Sequence, residues 1–217
     1  MKNGILVSLV IIGCVIGTVL HADDLFGFKN SEDDLEMLLY KQSINEITID
    51  TAAAAVEIKE GDEFGIRLGE GKGLRYSLEE GRLRVTQENH SFIGFGDDRD
   101  YRVYIYIPKD HKLDNLSIKT TAGAVKISDT AADSMTVKSE AGAMEIKNTE
   151  CPAYTLETTV GAIEMDLNGD IDDYTIHSNT AVGAVSVNGS SYKNGTTNGV
   201  NILNVSTTVG AIDIEID

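Results

Sequence analysis

The second half of the chain consists of short segments in which apolar and polar residues alternate. Leu116 and Ile118 flank a serine, and after a turn Val125 and Ile127 flank a lysine. An alternation with a period of two predicts half-buried β-strands rather than helices. Each unit is therefore expected to form a strand, a tight turn, a second strand and a looser turn.

These units form an internal repeat. Five clear copies span residues 116–127, 135–146, 154–165, 174–187 and 203–214, and a degenerate early copy spans 47–58. Each clear copy has a glycine at its tight turn. These glycines are Gly123, Gly142, Gly161, Gly183 and Gly210, with spacings of 19, 19, 22 and 27 residues. A period of about 20 residues with variable insertions is typical of a solenoid, in which stacked coils share one core.

The five glycines are predicted to be structural residues of the coil corner. Glycine has no Cβ atom, so it permits a tight turn and a close approach by the neighbouring coil. A hydroxyl residue three positions before the glycine recurs, as at Thr120, Ser139, Thr158 and Thr207. We expect an internal hydroxyl ladder bonded to the backbone, although surface threonines chosen for β-propensity would give the same pattern.

The region between the early copy and the main array has a different pattern. Strand-like segments begin near residues 65, 74 and 82, and a longer one, YRVYIYIP, ends at Pro108. Proline and the glycine-rich turns delimit these segments as strands. We expect either an antiparallel part or wider coils that cap the solenoid, because an open end would expose the core.

The predicted fold class is an all-β parallel β-solenoid with coils of about 19–27 residues, an N-terminal β capping region and one preceding N-terminal hydrophobic helix. Residues 1–22 are assigned to a membrane anchor or signal segment, 23–44 to a linker with a short helix capped by Ser31, and 45–217 to the solenoid, with its main array at 115–217. In the last coil, outward Asp213, Glu215 and Asp217 are expected to discourage pairing with another chain.

The N-terminal segment has an apolar run from Ile5 to Leu20, and Lys2 is its only charged residue. At about 1.5 Å per residue this run spans about 24 Å, slightly less than a comfortable membrane-spanning helix. It fits a membrane anchor, a cleaved signal peptide, or a lipoprotein signal in which Cys14, preceded by Ile-Ile-Gly, is acylated. It fits a buried helix of a cytosolic core less well. The three favoured interpretations place the bulk of the chain outside the cytoplasm, at the cell membrane.

From about residue 47 to 216 the sequence resembles the bacterial β-strand-repeat domains named the "putative adhesin" family, the LiaG-like group. The resemblance rests on the strand YRVYIYIP, followed by LSIKTTAGAVKI and its repeats, together with the N-terminal apolar segment. It implies a membrane-attached, extracytoplasmic β-solenoid and supplies no catalytic residues.

Charge and composition narrow the classes of function. The formal net charge is −17, and an apolar fraction of 41% suffices for a core. Such an acidic chain argues against nucleic-acid binding, which requires clustered lysine and arginine. The 2 cysteines are too few for a disulfide scaffold or a four-cysteine zinc site. If Cys14 is in the membrane or acylated, Cys151 is expected to be a free, partly buried thiol, with an intermolecular disulfide as the alternative.

The sequence contains few patterns that are typical of a metal or cofactor site. Its four histidines show no metal-binding spacing. A calcium site is a weak hypothesis for one acidic turn that departs from the EF-hand pattern, and solvated turn residues are the alternative. Its candidate ligands are Asp166, Asn168, Asp170 and Asp172. No cofactor is expected.

Three functions remain. The first is a non-catalytic module for cell-surface interaction or adhesion, attached to the membrane through residues 5–20 and binding an unknown protein or glycan. The second is an accessory or regulatory protein of an envelope-stress response system. The third is a polysaccharide-active β-solenoid enzyme using carboxylates such as Glu145 and Glu164. The equivalent residues Lys126 and Ser186 favour an ordinary solvated stripe over this third function.

Overall fold

The computed structural model describes residues 37–40, 43–69, 73–87, 101–192 and 199–217. The all-β prediction is confirmed for these residues, which form strands apart from turns and one short 3-10 segment at Ile171–Asp173. The predicted N-terminal helix and Cys14 lie outside the described residues.

The strands of the N-terminal part are β1 (Leu38–Tyr40), β2 (Glu46–Ala53), β3 (Ala55–Gly61), β4 (Phe64–Leu68), β5 (Leu74–Glu79), β6 (Arg82–Gln87) and β7 (Arg102–Pro108). The strands of the middle part are β8 (Lys112–Leu113), β9 (Asn115–Ala122), β10 (Val125–Ser128), β11 (Ala131–Ala132), β12 (Met135–Ala141), β13 (Met144–Lys147), β14 (Ala153–Val160) and β15 (Ile163–Leu167). The strands of the C-terminal part are β16 (Tyr174–Val182), β17 (Val185–Val187), β18 (Ser190–Ser191), β19 (Asn201–Val209) and β20 (Ile212–Ile216).

Two long sheets face each other across the core. Sheet A has the order β1-β4-β7-β3-β10-β13-β15-β20-β17-β18, and sheet B has the order β16-β19-β14-β12-β9-β2-β6-β5. Each coil contributes one strand to each sheet, and neighbouring coils pair in parallel. The coils therefore stack as the repeat predicts.

The alternation of residues along the strands builds the core. In β9 and β12 the burial alternates residue by residue, and Leu116, Ile118, Met135 and Val137 are at most 1% exposed. Equivalent residues of successive coils lie opposite one another, as Met135 does with Leu116. One coil cannot bury its own apolar side, so the stacking supplies the core.

The order of the coils in space differs from their order in the sequence at the C-terminal end. The last coil, β19–β20, lies between the β14–β15 coil and the β16–β17 coil. The prediction that Asp213 and Glu215 protect a sheet edge is therefore wrong. Both residues are partly buried inside sheet A, because β20 pairs with β15 on one side and β17 on the other.

In the N-terminal part, too, the order of the coils in space differs from their order in the sequence. The early copy, β2–β3, stacks directly on β9–β10, and the β6–β7 coil lies beyond it in parallel register. Antiparallel strands β4 and β1 then close sheet A, and antiparallel β5 closes sheet B, so wider coils and an antiparallel part both occur here. The helix predicted after Ser31 is wrong at its end, because Leu38–Tyr40 pairs as a strand with β4.

The looser turns of the coils also have a regular structure. Strands β8 and β11 pair in parallel along a narrow third side. The turns after β10, β13 and β17 each contain one non-glycine residue with a positive φ, namely Asp129 at 51°, Asn148 at 49° and Asn188 at 47°. Aspartate and asparagine tolerate this left-handed conformation better than most residues.

Candidate interaction surface

The predicted corner glycines form one column. From one coil to the next, its members are Ala54, Gly123, Gly142, Gly161, Gly210 and Gly183. A Cβ atom on Gly161 would lie 1.9 Å from the carbonyl oxygen of Gly142, and one on Gly210 would lie 1.8 Å from that of Gly161. These distances are far below a van der Waals contact, so the glycines set the spacing of the coils and form no ligand site.

A second column, of hydroxyl residues, lies beside the glycines. In register its members are Thr51, Thr120, Ser139, Thr158, Thr207 and Thr180. Thr158 donates to Gly142 O at 3.4 Å, and Thr207 donates to Gly161 O at 3.3 Å. Thr120 donates to a carbonyl of its own coil at 3.1 Å. The internal ladder is confirmed for these three and wrong for Ser139, whose buried Oγ has no hydrogen-bond partner.

The carboxylates considered for glycoside hydrolysis lie in an ion-pair network on sheet A. Glu145 and Glu164 are register partners on β13 and β15. Lys147 Nζ lies 2.9 Å from Glu145 Oε1 and 3.1 Å from Glu164 Oε1, and Lys126 Nζ lies 3.5 Å from Glu145 Oε2. Hydrogen bonding to Glu145 raises the pKa of Lys147. An ammonium group shared by both carboxylates indicates a structural network rather than an acid and a nucleophile facing an open groove.

The calcium candidates use their oxygen atoms locally. Asp170 Oδ1 accepts from the backbone N–H of Asp172 at 3.0 Å, and Tyr174 Oη donates to Asn168 O at 2.9 Å. Asp166 lies on β15, in register with Lys147. Within the described part of the chain, no group of three or more acidic, histidine or cysteine side chains is arranged to hold a metal ion.

Two other side chains of a type that can be reactive, His111 and Cys151, contact neighbouring residues of the fold. His111 Nε2 lies 2.8 Å from Ile44 O, and its ring packs edge-on against Phe64. Cys151 is a buried free thiol that donates to Ala153 O at 3.1 Å. Burial raises the pKa of Cys151, so this thiol is less reactive than an exposed cysteine.

The outer face of sheet B is a polar surface. It extends across eight strands. One outward column, in register order, consists of Thr86, Asp50, Lys119, Lys138, Glu157, Ser206 and Asn179. Hydroxyl, amide and charged groups therefore line this column.

A shallow groove of about 260 Å³ crosses this face beside the glycine corner. Its lining includes Lys119, Lys138, Glu157, Thr159 and Thr208. Lys138 Nζ pairs with Glu157 Oε2 at 2.8 Å, whereas Lys119 has no ion-pair partner among the described residues and is exposed. Lys119 is therefore a cation that an external partner can contact without breaking an existing ion pair.

Sheet A has a cluster of cations and tyrosines that the sequence did not indicate. Lys59 Nζ lies 5.9 Å from the ring centre of Tyr104 and 5.6 Å from that of Tyr106. Arg67 lies 5.7 Å from the Tyr106 ring, and Arg102 lies 5.8 Å from the Tyr104 ring. Cation–π contacts of this kind keep two outward tyrosines buried. The only signal in the sequence was the alternation of tyrosine and arginine in YRVYIYIP.

The membrane predictions fall on residues outside the described structure. The apolar run at residues 5–20 and Cys14 both belong to this part of the chain. Within the described residues, no helix has the length and apolar character needed to span a membrane.

Taken together, the stacked parallel coils define a β-solenoid domain. The chain belongs to the Toastrack DUF4097 family, which matches residues 44–216. A search of curated proteins found no significant match.

Two of the solved structures that are similar to this chain are named as adhesion proteins. One is a "putative cell adhesion protein" from Clostridium sporogenes, with a TM-score of 0.60 and 13% identity over 84% of this chain and 98% of the other. Another is a "putative adhesin" from Bacteroides fragilis, with a TM-score of 0.42 and 15% identity over 84% of this chain and 97% of the other. The first likeness supports the fold, and none of these comparisons indicates a catalytic family.

Proposed function

We propose that the protein is a membrane-tethered extracytoplasmic module that binds a protein or glycan at the cell surface and does not act as a catalyst. The outer face of sheet B carries this proposal. It combines hydroxyl, amide and charged groups with Lys119, which has no ion-pair partner among the described residues, beside a shallow groove. Such a face can form many hydrogen bonds to an extended polar partner.

The N-terminal apolar run supports the location, and one solved structure with this fold supports the role. A run of this kind directs the remaining chain across the membrane. The Clostridium sporogenes protein, which shares the fold, is named for cell adhesion. The ion-paired state of Glu145 and Glu164 gives no support to the polysaccharide-active alternative.

Protease treatment of intact cells tests the location. We expect the domain to be removed from intact cells, with a cytoplasmic protein as the internal control. Full protection in intact cells, with cleavage only after lysis, would refute an extracytoplasmic domain.

Binding of the full-length protein to isolated cell walls of the producing cells tests the surface. We expect Lys119→Glu to weaken binding several-fold, because it reverses the charge beside the groove. Lys109→Glu, an equally exposed charge reversal in the turn after β7, is the matched control. Equal binding by both variants would reject the sheet B face as the contact surface. Recovery of one membrane sensor protein after crosslinking, with no cell-wall binding, would favour the envelope-stress role instead.

A further inference from the structure

The groove on the outer face of sheet B crosses four neighbouring coils. Its lining residues lie on strands β9, β12, β14 and β19, which are adjacent in the sheet. Neighbouring strands lie about 4.8 Å apart, so these strands span about 14 Å from the first to the last. Lys119, Lys138, Glu157 and Ser206 are register partners on the four strands. The groove therefore runs along the axis of the solenoid and presents an equivalent position from each coil.

The lining of the groove is polar throughout. It consists of six residues with a hydroxyl group, two lysines and two glutamates. Of the large apolar side chains that are exposed in the described residues, none lines the groove. Protein interfaces have an apolar core, and aromatic residues dominate their strongest contacts. The lining offers no such core, so its composition favours a polar ligand over a folded protein partner.

Several hydroxyl groups of the groove are open to a ligand. The side chains of Thr159, Ser206 and Thr208 make no hydrogen bond within the described residues, and both threonines are exposed. A hydroxyl group donates one hydrogen bond and accepts others. The hydroxyl groups of a sugar have the same capacity, so the groove matches the hydrogen-bonding character of a glycan.

The spacing of the coils distinguishes a glycan from an extended peptide. An extended peptide advances by about 3.3 Å per residue, so the side chains on one of its faces recur at about 6.6 Å. Neither distance matches the repeat of about 4.8 Å between coils. A linear glycan whose ring sugars are joined through opposite sides of each ring advances by a distance similar to the coil spacing. Such a chain can therefore place one sugar over each coil.

The charges of the groove restrict the charge of this ligand. Lys138 pairs with Glu157 at 2.8 Å, and Glu140 is a second carboxylate in the lining. Lys119 has no ion-pair partner among the described residues, including Asp50, its register neighbour on β2. The two glutamates and the net charge of −17 would repel a glycan with a carboxylate on every sugar. A single carboxylate beside Lys119 avoids this repulsion and meets an exposed cation.

We propose that the groove binds a linear, mostly uncharged glycan, which lies along the solenoid axis with one sugar over each of the four coils and a carboxylate beside Lys119. This inference rests on the proposed function, because it assigns a class of ligand to the same face. Each sugar adds hydrogen bonds of modest individual strength, so the affinity grows with chain length until the groove is filled. The carboxylate adds a charge-assisted hydrogen bond.

Titration of the full-length protein in detergent with cello-oligosaccharides tests the length and the charge of the ligand. These sugars form linear, uncharged chains, and oxidation of the reducing end adds one terminal carboxylate. We expect the affinity measured by calorimetry to rise from two sugars to four, one for each coil that the groove crosses, and then to level off. Each oxidised chain should bind several-fold more tightly than its uncharged parent.

Variants assign these two effects to residues. Lys119→Gln should reduce the affinity for the oxidised chains to that for the uncharged chains, because it removes only the charge. Thr159→Val combined with Thr208→Val should weaken the binding of both forms equally, and both positions are exposed, so the core is unchanged. Thr48→Val, on β2 outside the groove, is the matched control and should bind both forms like the unaltered protein.

Three results would overturn this proposal. The first is the absence of binding by every chain at millimolar concentration, the second is an affinity that does not depend on chain length, and the third is an equal effect of Lys119→Gln on both forms. If Lys119→Glu weakens cell-wall binding but no cello-oligosaccharide binds, the face contacts another class of partner and only this proposal fails. If the sugars bind as expected but cell-wall binding is insensitive to Lys119→Glu, the glycan site stands and the proposed cell-wall contact fails.

Discussion

Substitution of Gly142 by alanine tests the physical basis of the coil spacing. Gly142 lies in the middle of the glycine column, and its φ is not in the left-handed region, so the substitution introduces no conformational strain. The new Cβ atom would lie 2.0 Å from the carbonyl oxygen of Gly123 and 3.2 Å from Ser139 Oγ. The two coils must therefore separate by about 1 Å or more at this corner to reach an ordinary contact.

The cost of this separation follows from the hydrogen bonds that it breaks. Gly123 N–H donates to Ala141 O at 3.2 Å and Val125 N–H donates to Ala143 O at 2.9 Å, one on either side of the contact. Each bond contributes about 0.5–1.5 kcal/mol, and a buried group left without a partner costs about 1–3 kcal/mol. We therefore expect Gly142→Ala to lower the free energy of unfolding by about 3–5 kcal/mol.

Urea unfolding followed by circular dichroism measures this change. Gly189→Ala is the matched control, because a Cβ atom there meets no atom within 4 Å, although the φ of 67° carries a strain cost of about 1–2 kcal/mol. A loss for Gly142→Ala no larger than that of the control would refute the close-contact argument.

Three further predictions concern other parts of the fold. Gln87→Ala should lower the unfolding free energy by about 2–3 kcal/mol in urea titrations, because its buried Oε1 accepts from the N–H groups of Ala52 and Ala53 at 2.9 Å each; a neutral effect would contradict this capping role. Removal of residues 200–217 should abolish hydrogen-exchange protection in β16 and β17, because both lose their neighbouring coil; retained protection would contradict the observed strand order. Burial raises the pKa of Tyr154, so the stability that its neutral phenol supplies should be lost as pH rises above about 10. Thermal melts of Tyr154→Phe should therefore show a smaller decline in stability at alkaline pH than those of the unaltered protein. Equal declines would exclude this residue as the cause.

The columns of glycine and hydroxyl residues could be predicted because equivalent positions of the repeat lie above one another on stacked coils. A glycine at the same place in five copies implies equivalent positions on stacked coils, and the structure places these five glycines in one column. The hydroxyl ladder followed by the same reasoning. It fails at Ser139 because a hydrogen bond depends on distances of tenths of an ångström, which a residue type does not specify.

The candidate interaction surface was less accessible to prediction. Outward residues could be recognised from the alternation, but whether Lys119 is paired depends on which strand lies beside β9. The sequence also gave no indication that Gln87 Oε1 would cap the β2–β3 corner, since 34 residues separate Gln87 from Ala53.

The sequence by itself determined the strands, the coil unit and the acidic character of this protein, because alternation, glycine corners and charge are local properties of the chain. Only the tertiary structure decided the order of the coils. The β19–β20 coil lies inside the stack, so the acidic C-terminal strand is covered and the uncharged β16 becomes the edge. The physical reason is that all coils present nearly the same apolar and hydrogen-bonding surfaces, so the repeat pattern permits several neighbours, and the connecting loops and the closing of the two ends select among them.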